Sequence, residues 1–422
     1  MGVFDWILYV FIAICSLLFM IMIHEFGHYT AGKLLGFKIN EFAIGFGKPI
    51  FKKTKKNGEV FSLRLIPLGG FCAFEGEDED KPNVQGAFNS MPVWKRLIVL
   101  FCGAFFNFLS ALVFAAIFLM ACGYVDKVQV TNVQLPPSVV SENWIQEGDI
   151  IVAVNGEYCN LVYDKYFTNM VSTFDEGQEF VVKVNRKGKD VDIVVSKQLS
   201  SELPNATENG IKMFSVDGLS YSCYITNKEG EGLKVVEFKD NDPSKVVKTY
   251  DVGEDNKVTI NGRTLTIVAS GEAGSETYSL HGAILGVSTT YYKYGFFEAL
   301  GHTFVFCFQW AWKIILILWQ LLSGQLALTS LGGTVTTVIT MAEATKANFA
   351  NLLLLLPLIS INLSVFNLLP IPALDGARMV FVAIEGIRGK PINRNVESWI
   401  HFIGLIVLFA FVVIVDILHF VL

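Results

Sequence analysis

The sequence predicts a multi-pass α-helical membrane protein of four spans, with a β-hairpin on the cytoplasmic side and an inserted, mostly-β region outside. Three observations predict it. Hydrophobic residues make up 52% of the 422 residues, charged ones only 17%, and mean hydropathy is +0.47, whereas soluble domains carry about a quarter of their residues as charges. Several windows of about 20 residues hold almost no charge, the length that crosses a bilayer as a helix. Between residues 126 and 290 such windows vanish and strand-like alternation replaces them.

The first apolar run, from about Trp6 to Tyr29, has no Lys or Arg ahead of it and no small-x-small cleavage site behind it, so it reads as an uncleaved span. A basic stretch follows, with Lys33, Lys38, Lys48, Lys52, Lys53, Lys55, Lys56 and Arg64, which the positive-inside bias assigns to the cytoplasm. The amino terminus then lies outside. Within that loop, residues 59–74 have the β-branched and aromatic content of a short hairpin or small sheet, broken at Pro67-Leu-Gly-Gly70. Lys95 and Arg96 anchor a second span, about 97 to 122, running outward.

The next block is therefore extracytoplasmic. It holds 24 acidic against 15 basic residues between 126 and 290, a balance of −9 that accounts for the acidity of the whole chain. Residues 148–157 read as a strand entering an Asn155-Gly156 turn, and 179–195 as a hairpin around Lys187-Gly188. Alternation continues through 257–268. Three apolar stretches close the chain, at about 297–322, 350–369 and 398–422. Were all three to cross, Arg378, Arg388, Lys390 and Arg394 would fall outside, against the charge bias; if 297–322 lies along the surface or re-enters, they fall inside. The second count gives four spans with both termini outside.

The net charge of −6 and pI near 5.6 exclude a generally basic nucleic-acid binder, and the apolar spans make the lipid bilayer the expected surroundings. Seven cysteines without a CxxC pair give neither a disulfide framework nor a zinc ribbon. Whether Cys159 and Cys223 pair stays open.

The chemistry concentrates at His24-Glu25-Phe26-Gly27-His28. On a helix, positions i and i+4 share a face, so two imidazoles can hold one metal ion while the adjacent glutamate reaches a water beside it. Two histidines and a glutamate inside an apolar span are costly without such a purpose. A His-Glu pair snorkelling to the interface is the plain alternative, and a structural zinc clamp another, though the latter gives the glutamate little to do. A third ligand is available at Asp375, where Pro370 and Pro372 break the helix that ends the 350–369 stretch. With the first and third spans both running inward, His24, His28 and Asp375 reach one depth. Read alone, Asp375-Gly376 is an ordinary turn.

His24–His28, Gly45-Phe-Gly47, Arg64–Gly70, the Gly148–Gly156 block and Asn367-Leu-Leu-Pro-Ile-Pro-Ala-Leu-Asp375-Gly376 occur in the order seen in the site-2 protease family, and the chain resembles its bacterial branch over most of its length. The resemblance implies an intramembrane zinc metalloprotease of the bacterial plasma membrane in which His24, His28 and Asp375 bind Zn2+ and Glu25 is the general base. It implies that Asn367, or Asn362 a little more than a turn earlier, holds substrate backbone or the developing oxyanion; a hydrogen bond between helices is the alternative for Asn362. The 59–74 segment would be a membrane-associated hairpin whose edge pairs with an unwound substrate. Pro136-Pro-Ser138, Gly148-Asp149 and Val154-Asn-Gly156 resemble a PDZ domain, without the usual residues before Gly148 and without a second such signature in 206–280. The segments are then 1–123, the first half of the membrane core; 124–205, PDZ-like; 206–290, further β structure; 291–346, a surface or re-entrant segment; and 347–422, the second half. Single-pass membrane proteins already cut on the outside, such as anti-sigma factors or remnant signal peptides, are the implied substrates. A catalytically idle PDZ-bearing scaffold is the rival reading.

Overall fold

The computed structural model describes residues 3–77, 84–133, 144–159, 165–174, 177–197, 199–202, 205–208, 211–215, 221–228, 232–239, 245–253, 255–260, 263–270, 277–326, 332–390 and 392–421. The chain divides into Met1–Cys122 with Tyr294–Leu422, and Gly123–Lys293.

In the first unit, α1 (Val3–Leu35) is an unbroken apolar helix. It stops at Gly36, whose φ of +82° no β-carbon favours, and Phe37 N–H returns to Gly32 O at 2.8 Å, a Schellman ending. Two long strands follow, β1 (Ile39–Thr54) and β2 (Val60–Phe74), paired antiparallel. The partner of the 59–74 segment is thus 39–54, and β2 keeps strand character through the Pro67-Leu-Gly-Gly70 stretch but bends there. The strands bend, at glycines 45, 47 and 69 with positive φ, so that residues 41–44 pair with 60–63 on one side and 70–73 on the other. Residues 70–74 become an edge. Helix α2 (Val93–Cys122) lies against α1 so closely that a β-carbon on Gly27 would stand 2.2 Å from Cys102 O.

The second unit is built from antiparallel sheets. Strands β3 (Tyr124–Val133), β4 (Ile150–Val154), β5 (Glu157–Tyr158), then helix α3 (Phe167–Ser172), β6 (Glu179–Arg186) and β7 (Lys189–Ser196) lead into β8 (Leu199–Glu202), β9 (Asn205–Glu208), β10 (Ile211–Ser215), β11 (Tyr221–Lys228), β12 (Gly232–Lys239), β13 (Val246–Asp251), β14 (Lys257–Ile260), β15 (Arg263–Ser270), β16 (Thr277–Ile284) and β17 (Val287–Tyr292). One sheet runs β17-β3-β4-β6-β7 with β5 beside β4; the others run β13-β12-β11-β10-β9 and β14-β15-β16-β8. Both expected turns form as positive-φ pairs, Asn155 and Gly156 at 48° and 78°, Lys187 and Gly188 at 51° and 84°. The Asp149 carboxylate braces this sheet by accepting from both Arg186 Nε and Nη2, at 2.8 and 2.7 Å. Cys159 and Cys223 are free thiols buried in two separate apolar cores. Pro136–Ser138 lie outside the described residues.

Returning to the first unit, α4 (Phe296–Leu322) packs on α2, α5 (Thr334–Ala347) on α1, and α6 (Phe349–Leu368) on α2. Helix α7 (Asp375–Arg388) leads through Gly389 to α8 (Arg394–Val421). Arg96 of α2 and Arg394 of α8 both bind Glu385 of α7, and Asp416 of α8 accepts the Val335 and Thr336 amides at the start of α5. By length and composition, five helices among the described residues (α1, α2, α4, α6 and α8) suffice to cross a membrane, one more than the sequence count.

Candidate active site

Each functional group is placed by a feature the sequence dictates. Helical periodicity stacks His24 and His28 on one face of α1, with ring planes 87° apart. Pro370 and Pro372 end α6, and the chain then turns sharply: Ala373 adopts φ +82°, and its N–H is held by His401 Nδ1 of α8 at 3.0 Å. Asp375 opens α7. Gly376 cannot be larger, since a β-carbon there would lie 2.3 Å from Leu369 O and 2.4 Å from Leu368 O.

These constraints bring three groups separated by 351 residues to one point. Asp375 Oδ2 lies 2.9 Å from His24 Nε2 and 3.2 Å from His28 Nε2, and the two Nε2 atoms are 3.1 Å apart. The ring nitrogens are buried, with His24 7% and His28 8% exposed. Such a donor set suits a divalent cation: ligands about 2.0–2.1 Å from a tetrahedral zinc stand roughly 3.3 Å from one another, close to the separations seen. His28 Nδ1 sits 2.8 Å from Val99 O, so it carries the proton and leaves Nε2 a lone pair. Helix α2 leaves the space open through Gly103, where a β-carbon would fall 2.4 Å from His28 Nε2 and 2.7 Å from His24 Cε1. The residues fit zinc.

The cluster borders a cavity of about 530 Å3 lined by Glu25, Asn107, Asn367 and Arg378 and by Phe71–Phe74 of the β2 edge. Glu25 is packed beside Gly70 of β2, where a β-carbon would lie 3.4 Å from Glu25 Cγ. Asn367 Nδ2 is 3.4 Å from His24 Nδ1. Asn362 is exposed on α6 and does not line the cavity. Sequence reasoning missed Gly103, Asn107, His401 and the Arg378–Glu77 pair. The four-residue spacing of Gly103 and Asn107 marks one helix face, but only the packing of α2 on α1 shows what that face meets.

Beside the site, Glu59 anchors the β1–β2 turn to α1. Burial alone would raise its carboxyl, but hydrogen bonds from Lys33, Lys55, Tyr29 and Asn57 outweigh it and hold it at about 2.

An HExxH helix, a carboxylate delivered to it from a second helix, and a cavity inside an apolar bundle together define a class, the membrane-embedded zinc metallopeptidases. Comparison with known proteins narrows it. The sequence pattern of peptidase family M50 matches residues 12–411, and the chain belongs to that family, the site-2 proteases. It is 27% identical over 431 residues to the regulator of sigma E protease of Haemophilus influenzae, covering 95% of this chain and 96% of that protein. A Salmonella typhimurium protein named "Regulator of sigma-E protease RseP" is 25% identical over 92% of this chain and 93% of its own. One from Pasteurella multocida, named "Putative zinc metalloprotease", is 28% identical over 96% and 97%. The chain is a zinc metalloprotease of the site-2 type.

Proposed function

We propose that the protein cleaves transmembrane segments of single-pass membrane proteins inside the bilayer after an earlier extracytoplasmic cut, with His24, His28 and Asp375 holding Zn2+ and Glu25 as general base. The observation that supports this most is the approach of Asp375 Oδ2 to both Nε2 atoms, 2.9 and 3.2 Å, on the wall of a cavity that Glu25 also lines. Zinc, when bound, supplies Lewis acidity that polarises the scissile carbonyl and acidifies water. The Glu25 carboxylate takes a proton from the attacking water and passes it to the leaving amine. Asn367, on the cavity wall, donates to substrate backbone or to the oxyanion. A substrate helix must unwind to expose a peptide bond, and the 70–74 edge, paired on one side only among the described residues, holds the unwound strand.

In this reading α1, α2, α6 and α8 span the membrane, both termini and the PDZ-like region lie outside, and the zinc ligands lie near the cytoplasmic face. Asp375, just past the end of α6, meets the C-terminal part of α1, so α1 and α6 run in one sense and an even number of crossings separates α2 from α6. Helix α5 has 14 residues, roughly 21 Å, too short to return a full crossing by α4 through about 30 Å of hydrocarbon. A regulatory substrate such as an anti-sigma factor is in keeping with relatives named as regulators of sigma E, with remnant signal peptides as the other candidates. Reconstituted protein and a model single-pass substrate test the reading. Glu25→Gln should retain zinc and lose cleavage by at least about 100-fold; cleavage at the wild-type rate would remove Glu25 from the mechanism.

A further inference from the structure

We propose that Asn107 is a positioning residue for His24: its side-chain carbonyl accepts the His24 Nδ1–H and fixes the neutral imidazole in the tautomer whose Nε2 faces His28 and Asp375. The inference rests on the zinc reading above and concerns what makes that reading possible. His28 has a backbone acceptor, Val99 O, for its outer nitrogen. His24 needs one too, because an imidazole can offer Nε2 to a cation only while Nδ1 carries the hydrogen.

Two groups approach His24 Nδ1, and both are amides, Asn107 Nδ2 and Asn367 Nδ2, each at 3.4 Å. Written so, two NH2 donors confront one ring nitrogen, and Asn107 Oδ1 is buried with no partner among the described residues. A half-turn about χ2 exchanges oxygen and nitrogen of an amide without moving another atom. Applied to Asn107 it gives the orphaned carbonyl a donor and His24 Nδ1–H an acceptor, and the amide NH2 takes the buried position that the carbonyl held. Asn107 suits this role better than Asn367. Both line the cavity, but Asn107 is wholly buried, at 0% exposure, while Asn367 is only partly buried. Its backbone is also pinned: the Asn107 carbonyl accepts from Ser110 Oγ at 2.8 Å and from Ser360 Oγ of α6 at 2.9 Å. Gly103, one turn earlier, admits the imidazoles to the same face of α2. The α2 helix thus supplies an outer support for a ligand on α1, as carboxylates and carbonyls do around zinc-bound histidines elsewhere.

The test is zinc affinity of the full-length protein in detergent, by competition with a chromophoric chelator, for wild type, Asn107→Leu and Asn107→Asp. Leucine keeps bulk and removes the acceptor; aspartate keeps the acceptor and removes the donor. Asn107→Leu should bind zinc about 10- to 100-fold more weakly, with Asn107→Asp within about threefold of wild type. Leucine binding like wild type, or aspartate losing as much as leucine, overturns the proposal; the latter is what a mere interhelical amide contact would give. Wild type without zinc would instead overturn the metal site itself. If Asn107→Leu does not fold, ring 15N–1H spectra of zinc-loaded wild type and Asn107→Asp decide. The His24 Nδ1–H resonance, identified by its loss in His24→Gln, should move downfield against a carboxylate acceptor, and an unchanged shift overturns the assignment.

Discussion

At the scale of single residues, what an atom must not be matters as much as what the ligands are. His24, Glu25 and His28 were legible in the sequence because i, i+4 spacing carries its own geometry, and Asp375 because two prolines announce a turn. Gly103 was not legible, since a glycine in an apolar helix has many uses and only the proximity of His28 Nε2 to its missing β-carbon, 2.4 Å, gives this one. Gly103→Ala should therefore abolish zinc binding while the protein still elutes as a single folded species. Retained zinc would mean that α2 can withdraw from α1. Asn107 was invisible for a similar reason: its meaning comes from the orphaned carbonyl beside His24, a three-dimensional fact.

At the scale of elements, the loop from Pro370 to Asp375 and the β1–β2 sheet frame the site. Strand character in 59–74 was readable from its β-branched and aromatic residues, but its partner was not: 51–54 pair with 60–63 across the turn at 55–59, whereas the pairing of 41–44 with 70–73 depends on glycine bends in both strands. The sheet is tied to α1 through Glu59, whose depressed carboxyl makes a checkable pH signature. A group held near 2 in the folded state and near 4.5 when unfolded contributes stability above about pH 4.5 and loses it as pH falls toward 2. Glu59→Gln should lower the thermal midpoint at pH 7, and the gap to wild type should close between pH 4.5 and 2. A gap independent of pH would deny the ion-pair account. On the far side of the site, the His401 contact holds Ala373 in its left-handed conformation. His401→Phe should raise KM or weaken zinc binding through a displaced Asp375, by about 10-fold, with little loss of helix content.

For the whole molecule, composition alone revealed a membrane protein with a β insertion, and the boundaries at Cys122 and Tyr294 fall close to where hydropathy changes. The crossing count was harder, since α4 is long and apolar enough to span, and it is the basic residues between α6 and α8 and the shortness of α5 that argue otherwise. Single cysteines placed at Lys390 and Lys187 in a cysteine-free background separate the possibilities. The first should react with an impermeant maleimide only in inverted vesicles and the second only in intact cells. Labelling of both from one side would break the four-span arrangement.

Zinc K-edge absorption spectroscopy of the purified protein probes most directly whether α1 and the start of α7 share one ion. Wild type should show about one zinc per chain with only nitrogen and oxygen neighbours near 2.0–2.1 Å, and Asp375→Ala or His28→Ala should lose most of the metal. Sulfur neighbours at about 2.3 Å, or a spectrum unchanged by Asp375→Ala, would contradict it.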